Sequence, residues 1–221
     1  MARKRISAGE RRESIVAAAR SVFAAHGYHG TKTMQIAREA GVSEALVFQH
    51  FPSKLSVYRA VLRQVFREQD RNYEKVGIGV TEPGTAGLVQ SLWRYFHAIV
   101  ADPHASGQEF YRLTLSSLAG DGQFAALVYR RAQRRANRQI AAAHAAARAA
   151  GDIVGEPLDI RNVNLFIEHV GTMMSALNIL DPSSCPYSGT GDALVRQATW
   201  FCCRGIGLTD AAIALHLPAQ S

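Results

Sequence analysis

The chain has 221 residues and a formal net charge of +7, with 48% hydrophobic and 19% charged residues. This composition is typical of a globular protein that is long enough to bury a substantial core. Because no run of about 18 uninterrupted apolar residues occurs, a membrane-spanning helix is not expected.

The chain begins with a basic arm at residues 1–8 and a predicted helix from Arg11 to His26, which Gly27 ends. Residues 1–60 hold ten Lys or Arg and four Asp or Glu, a net of +6, whereas the rest hold fifteen and fourteen, a net of +1. The positive charge is therefore concentrated near the start, as expected of a surface that neutralises phosphates. A solvated basic surface is the alternative.

Residues 33–51, TMQIAREAGVSEALVFQHF, predict two short helices joined by a tight turn. Thr33 and Ser43 are candidate N-caps of the two helices. Gly41 suits the turn because glycine accepts a positive φ. Such a pair forms a helix-turn-helix, whose second helix can enter a DNA major groove. On these residues alone, an ordinary helical corner inside a core is nearly as good an interpretation.

A long helix is predicted from Lys54 to about Lys75, and at 1.5 Å per residue it would span roughly 33 Å. The Gly-rich segment 76–87 after it is the clearest break in composition. A helix of this length could connect two structural units. The predicted division is a DNA-binding domain at 1–53, a connecting helix at 54–75 and a larger domain at 76–221.

Every predicted element after this break is a helix, so the predicted fold class is all-α. Apolar periodicity indicates helices over 85–101, 104–119, 123–150, 158–180 and 192–205. The stripe in 158–180 is the strongest, and it consists of Ile160, Val163, Ile167, Val170, Met174 and Leu177.

Three cysteines, Cys185, Cys202 and Cys203, form neither a C-x-x-C pair nor an even set. Reduced thiols in a cytoplasmic protein are therefore expected. The basic start is followed by no apolar segment, so no signal peptide is expected. Eight scattered His residues include no H-E-x-x-H spacing, and no P-loop or G-x-S-x-G occurs. We expect no catalytic site, no metal and no cofactor, and an enzyme is the least favoured alternative.

Residues 9–60 resemble the N-terminal domain of the TetR family of transcriptional regulators. The resemblance rests on ARSVFAAHGYHGTKTMQIAREAGVSEALVFQHFPSKLSVYRAVL, which includes the Gly27 turn, IAREAGVS and FPSK. It implies a three-helix DNA-binding domain and a larger helical domain for ligand binding and dimerisation. It further implies a homodimer through the helices near 158–180 and 192–205, which binds a pseudo-palindromic operator in double-stranded DNA.

The resemblance also implies DNA contacts at specific positions. Those assigned to phosphates are Lys32, Thr33, Ser43, His50 and Lys54. Those assigned to base edges are Glu44, Ala45 and Gln49, since Gln can bond adenine and Glu can accept from cytosine. Phe48 stands where the family usually has a Tyr, so a hydroxyl donor to phosphate is lost.

In this family the larger domain usually holds a small-molecule effector, and repression is the default. Aromatic and Met side chains suit a mostly apolar ligand. The candidate residues are Trp93, Phe96, His97, Phe110, Tyr111, Phe166, Met173 and Trp200. Packing in the core or at a dimer interface is the alternative for each. A constitutive DNA-binding dimer without an effector is the alternative function.

Overall fold

A computed structural model describes residues 7–75, 82–101, 108–177, 187–189 and 191–219. In these ranges the regular elements are α-helices, apart from one isolated bridge between Ile153 and Leu208. The helices are α1 Ala8–Gly30, α2 Thr33–Glu39, α3 Glu44–His50, α4 Lys54–Lys75, α5 Gly84–Ala101, α6 Gln108–Leu118, α7 Gln123–Ala149, α8 Ile160–Leu177, α9 Asp192–Gly205 and α10 Asp210–His216. The all-α prediction is confirmed.

The long predicted helices agree closely with the observed bounds, but α10 was not predicted. Thr209 begins it by accepting a hydrogen bond from Ala212 N, 3.3 Å away. Seven residues are too few to give a clear helical period, so only the Thr-Asp pair could have indicated this helix. Residues 104–107 and 178–180 of two predicted helices lie outside the described residues, as does Cys185.

The prediction that a helix ends at Gly27 is confirmed, because the backbone of Gly27 is not helical and Ala8–Gly30 consists of two helical segments that meet at a kink there. Gly27 has a φ of 65°, and a Cβ at this position would lie 2.8 Å from Ser116 Oγ. At its other end, α1 begins with a capping box in which Ser7 and Glu10 bond each other's backbone N–H. These bonds lower the pKa of Glu10.

One compact unit, called unit 1 below, combines the residues up to Asp70 with Glu109–Ala126. Unit 1 is larger than the predicted DNA-binding domain, 1–53, because α4 and α6 contribute to its core. Its largest fully buried side chains are Phe23, Phe51, Phe124, Ile15, Ile36, Val47, Val57 and Val61. Arg20 of α1 also forms an ion pair with Glu68 of α4.

The second compact unit, unit 2, comprises the described parts of Arg71–Gln108 and Leu127–Ser221. In it α5 packs against α8, α9 and α10. Its core includes Val89, Phe96, Val163, Cys203 and Ile213. At Gly171 of α8 a Cβ would overlap the Tyr95 hydroxyl, so glycine permits the close approach of this ring.

Among the helices that the structure describes, none combines the length and the apolar character needed to cross a membrane. Cys202 and Cys203 are buried and free. Burial raises the pKa of each thiol to about 12, so both stay protonated at neutral pH.

Candidate nucleic-acid interface

Helices α2 and α3 are joined by a tight turn at residues 40–43, as the sequence predicts. Gly41 adopts a φ of 63°, and the N–H groups of Gly41 and Val42 donate to the carbonyls of Arg38 and Ala37. These bonds satisfy carbonyls at the end of α2. The geometry is that of a helix-turn-helix.

The two predicted N-caps have different outcomes. Ser43 caps α3, because its hydroxyl accepts from Leu46 N at 3.2 Å. Thr33 is not a cap but the first helical residue of α2. The preceding residue, Lys32, takes the extended conformation of an N-cap, with φ −106° and ψ 144°. Gln35 Oε1 accepts from Lys32 N at 2.7 Å, which stabilises the start of α2.

Helix α3 presents a buried face to the core of unit 1 and an exposed face to solvent. Val47 is fully buried and Phe51, just after the helix, is 1% exposed. The opposite face carries the exposed side chains of Glu44, Ala45, Phe48 and Gln49. Phe48 is 46% exposed, an unusual position for a phenyl ring in a folded protein.

The residues assigned to phosphates differ in exposure. Lys32 and Ser43 are exposed, while Thr33, His50 and Lys54 are half-buried. Lys32 and Ser43 directly precede α2 and α3. Thr33 begins α2, His50 ends α3 and Lys54 begins α4. Hydroxyl and cationic groups therefore lie at the ends of the helices that form the helix-turn-helix.

Lys54 holds the end of α1 against the start of α4. Its Nζ donates to Tyr28 O at 2.8 Å and to Thr31 O at 2.9 Å. The same ammonium lies 4.5 Å from the centroid of the Tyr28 ring, a cation–π contact. An ammonium has three donors, so two of them are engaged within the protein. No local pattern indicates this contact, since the partners lie 23 and 26 residues away.

Met34 is an exposed residue of this region that sequence reasoning missed. Its side chain is 62% exposed on α2, although Ile36 and Ala37 of the same helix are buried. Its position outside the apolar period of α2 was the available signal. Arg12 is a second missed residue, and its guanidinium lies 4.5 Å above the Phe51 ring.

Comparison with known proteins identifies this region. Residues 15–61 match the family model "Bacterial regulatory proteins, tetR family". Residues 15–61 are therefore similar to the N-terminal domain of TetR-family regulators. TetR-family regulators bind DNA and usually act as dimers. The matched residues include α2, α3 and the first turns of α4, so the match covers the helix-turn-helix.

Two relatives are similar to part of the chain. The chain is 33% identical over 97 residues to the HTH-type transcriptional regulator HbdR of Aromatoleum sp. (strain CIB), which covers 44% of this chain and 42% of that protein. It is 45% identical over 60 residues to the HTH-type transcriptional activator FasR of Mycolicibacterium smegmatis, which covers 27% of each. The chain thus spans less than half the length of these relatives. Both are described as transcriptional regulators.

A solved structure extends the likeness to the rest of the fold. A TetR-family regulatory protein from Rhodococcus RHA1 superimposes with a TM-score of 0.63 and 22% identity, over 91% of this chain and 99% of that one. At this identity the likeness shows the fold alone. The N-terminal helix-turn-helix and the C-terminal helical region therefore both share the fold of this solved structure.

The residues predicted to line an effector site lie in different surroundings. Phe110 and Tyr111 are buried in unit 1 and their rings are 5.2 Å apart. The other six belong to unit 2. Phe96 is fully buried there, Trp93 and His97 have ring centroids 4.9 Å apart, and Trp200 is half-buried. Phe166 and Met173 are exposed. The effector assignment stays a prediction.

Proposed function

We propose that the chain is a ligand-responsive transcriptional repressor that binds a pseudo-palindromic operator as a homodimer. The observation that carries the proposal is the exposed face of α3, which presents Phe48 and Gln49 to solvent on a helix capped by Ser43. A helix with this exposure in a helix-turn-helix can lie in the major groove with its first turns against the bases. Lys32, the residue before α2, adds an exposed cation to the same helix-turn-helix.

The contacts divide into two classes. Lys32, Thr33, Ser43, His50 and Lys54 would hold phosphates, which fixes the position of the domain and gives salt-dependent affinity. Thr33 is the first residue of α2, where backbone N–H groups favour an anion.

Glu44, Ala45 and Gln49 would meet base edges. Gln49 is the strongest candidate, because its amide can bond two atoms of adenine. Glu44 is in the first turn of α3, where its negative charge interacts favourably with the helix dipole. Near phosphates the same charge is repelled, so a contact with a cytosine amino group would be needed to offset the repulsion.

Homodimerisation through α8 and α9 is supported by exposed apolar side chains on both helices. Phe166 and Met173, seven residues apart on one side of α8, are 59% and 51% exposed. Phe201 of α9 is 68% exposed. Such side chains are normally covered, and a second copy of the same helices would cover them. Two copies would place two α3 helices on one DNA face, which favours a palindromic site.

A mostly apolar effector in the C-terminal region is the proposed signal, and its binding would change the separation of the two α3 helices. Small-angle scattering of the dimer with and without a ligand found by thermal shift tests this step. An unchanged separation of the two α3 helices would contradict release by this route. The absence of any stabilising ligand, with DNA binding intact, would instead favour the constitutive dimer. Reduced buried thiols fit a cytoplasmic location.

Selection of bound duplexes from random sequence is the test of the DNA-binding proposal. The expected result is an enriched sequence with two inverted half-sites about one helical turn apart. Enrichment of a single half-site, or of no sequence at all, would contradict a symmetric operator.

A further inference from the structure

Unit 1 contains a cavity of about 120 Å³ that the proposed DNA contacts do not use. It lies between the end of α1, the first turns of α4 and the turn that joins α6 to α7. Tyr28, His29, Tyr58, Ser116 and Asp121 are among the residues that line it. Its size corresponds to a few water molecules, which is smaller than the pockets that hold drug-sized ligands.

Asp121 supplies a buried carboxylate to this cavity, since its side chain is only 8% exposed. Oδ1 accepts from Ser117 Oγ at 3.1 Å and from Gln123 N at 3.0 Å. No donor among the described residues forms a hydrogen bond with Oδ2, which is buried. The nearest cationic candidate, His29 Nε2, is 4.0 Å away and beyond hydrogen-bond distance. One oxygen of a buried carboxylate therefore lacks a donor, which is costly unless a ligand or solvent supplies one.

The other walls of the cavity are aromatic and also favour positive charge. The rings of Tyr28 and Tyr58 have centroids 4.9 Å apart, and Phe23 contacts Tyr58 at 4.8 Å. Burial, and then the Asp121 carboxylate, raise the pKa of the Tyr58 hydroxyl, so this ring stays neutral. Helix α6 ends at Leu118, and the carbonyls at a helix end carry partial negative charge. The Asp121 carboxylate, the Tyr58 ring and the end of α6 thus attract a cation. The first N–H of α7 is bonded to Asp121 Oδ1, and the Lys54 ammonium lies against Tyr28, so Oδ2 is the atom that receives the cation.

We propose that this cavity binds a small organic cation with a guanidinium or primary ammonium head. Such a head donates to Asp121 Oδ2 while its apolar surface lies against the tyrosine rings. A metal ion fits less well, because no group of three potential metal-ligating side chains occurs in the described part of the chain. Lys54 does not fill the site, since its ammonium bonds the carbonyls of Tyr28 and Thr31 and it does not line the cavity.

Methylguanidinium and methylurea form the matched pair of probes, because they share shape and donors but differ in charge. Each is titrated into the full chain, and backbone amide shifts are followed by heteronuclear NMR. Methylguanidinium should give saturable shifts at residues 26–30 and 116–121, and methylurea should give none. The measurement contains no DNA, so its result is independent of the proposed regulatory function.

Asp121→Asn tests the role of the charge, because Asn keeps Oδ1 as an acceptor for Ser117 and Gln123. Its apparent Kd for methylguanidinium should rise at least about tenfold, the effect of one charge-assisted hydrogen bond. Glu13→Gln is the control, since it removes the same charge from an exposed position of α1 and should leave the Kd unchanged.

Equal shifts with methylurea would overturn the proposal, as would shifts confined to other residues or an unchanged Kd in Asp121→Asn. If Asp121→Asn does not fold, the comparison of the two probes on the unaltered chain decides alone.

Discussion

Replacing Lys54 with Met tests whether this lysine stabilises the protein or only contacts DNA. Met keeps most of the aliphatic stem but removes the ammonium, and with it the bonds to Tyr28 O and Thr31 O. Each bond from a charged donor contributes about 1.5 kcal/mol at the lower end of the measured range. The cation–π contact with Tyr28 contributes about 0.5–1 kcal/mol. The free energy of unfolding should therefore fall by about 3.5–4 kcal/mol in Lys54→Met.

Lys32→Met is the matched control for this variant. Lys32 is exposed at the start of α2, and only its backbone N–H is bonded, to Gln35. Its loss should leave the free energy of unfolding unchanged but remove one phosphate contact. The slope of log K against log salt should then become shallower by about 0.9 for each bound protomer. Lys54→Met should weaken binding to all DNA sequences with a smaller change of slope.

Urea unfolding followed by circular dichroism and salt titrations followed by fluorescence anisotropy measure the two quantities. The reasoning is refuted if Lys54→Met unfolds at the same urea concentration as the unaltered chain while its salt slope changes as much as that of Lys32→Met. That result would mean that the ammonium leaves the two carbonyls and acts as a free phosphate contact.

Three further predictions concern the exposed face of α3 and the core of unit 2. Gln49→Ala should alter base preference at one position of each half-site and leave the salt slope unchanged; a selected sequence identical to the original would contradict base reading by this residue. Phe48→Tyr should tighten binding to all sequences by about threefold to tenfold, because the hydroxyl adds a donor to phosphate at an exposed ring; equal affinities would show that the ring lies away from the backbone. Burial raises the pKa of Glu168, although the Tyr95 hydroxyl partly opposes this. Glu168 therefore binds its proton more tightly in the folded state than in the unfolded chain. Its contribution to the free energy of unfolding is complete below the pKa of the unfolded chain and is lost as pH rises through the raised pKa of the folded state. Glu168→Gln should abolish this loss in urea titrations at several pH values, and parallel pH profiles of the two proteins would contradict it.

The sequence predicted the helix-turn-helix well because its signals are local. Gly41 and Ser43 determine the turn and the cap through contacts within four residues, so the pattern of residue types was sufficient. The Thr33 cap was assigned wrongly because Lys32, not a typical cap residue, takes the extended conformation before the helix. The distinction depends on one backbone angle, which residue type determines only weakly.

Contacts between distant segments could not be predicted in the same way. The family resemblance assigns Lys54 to a phosphate, and its bonds to Tyr28 and Thr31 could not be predicted because they depend on how α4 packs against the end of α1. The inclusion of 109–126 in unit 1 and the position of Asp121 beside α1 likewise depend on tertiary packing. The apolar periodicity predicts which face of each helix is buried, but it does not predict which other helix packs against that face.

The exposed apolar residues illustrate the same limit. Phe166 and Met173 were assigned to an effector site because aromatic and Met side chains commonly line such sites. Their exposure on α8 instead supports a surface that a second copy covers. The sequence alone does not distinguish an effector site from a dimer surface, since the residues of both are apolar and share helical spacing.

The central claim is that the outward face of α3 binds duplex DNA in a symmetric dimer. Sedimentation of the protein with a labelled duplex carrying the selected inverted repeat, at several salt concentrations, tests it most directly. We expect two chains per duplex, with an affinity that falls linearly in log salt. A monomeric protein that leaves the duplex free even at low salt would contradict the account.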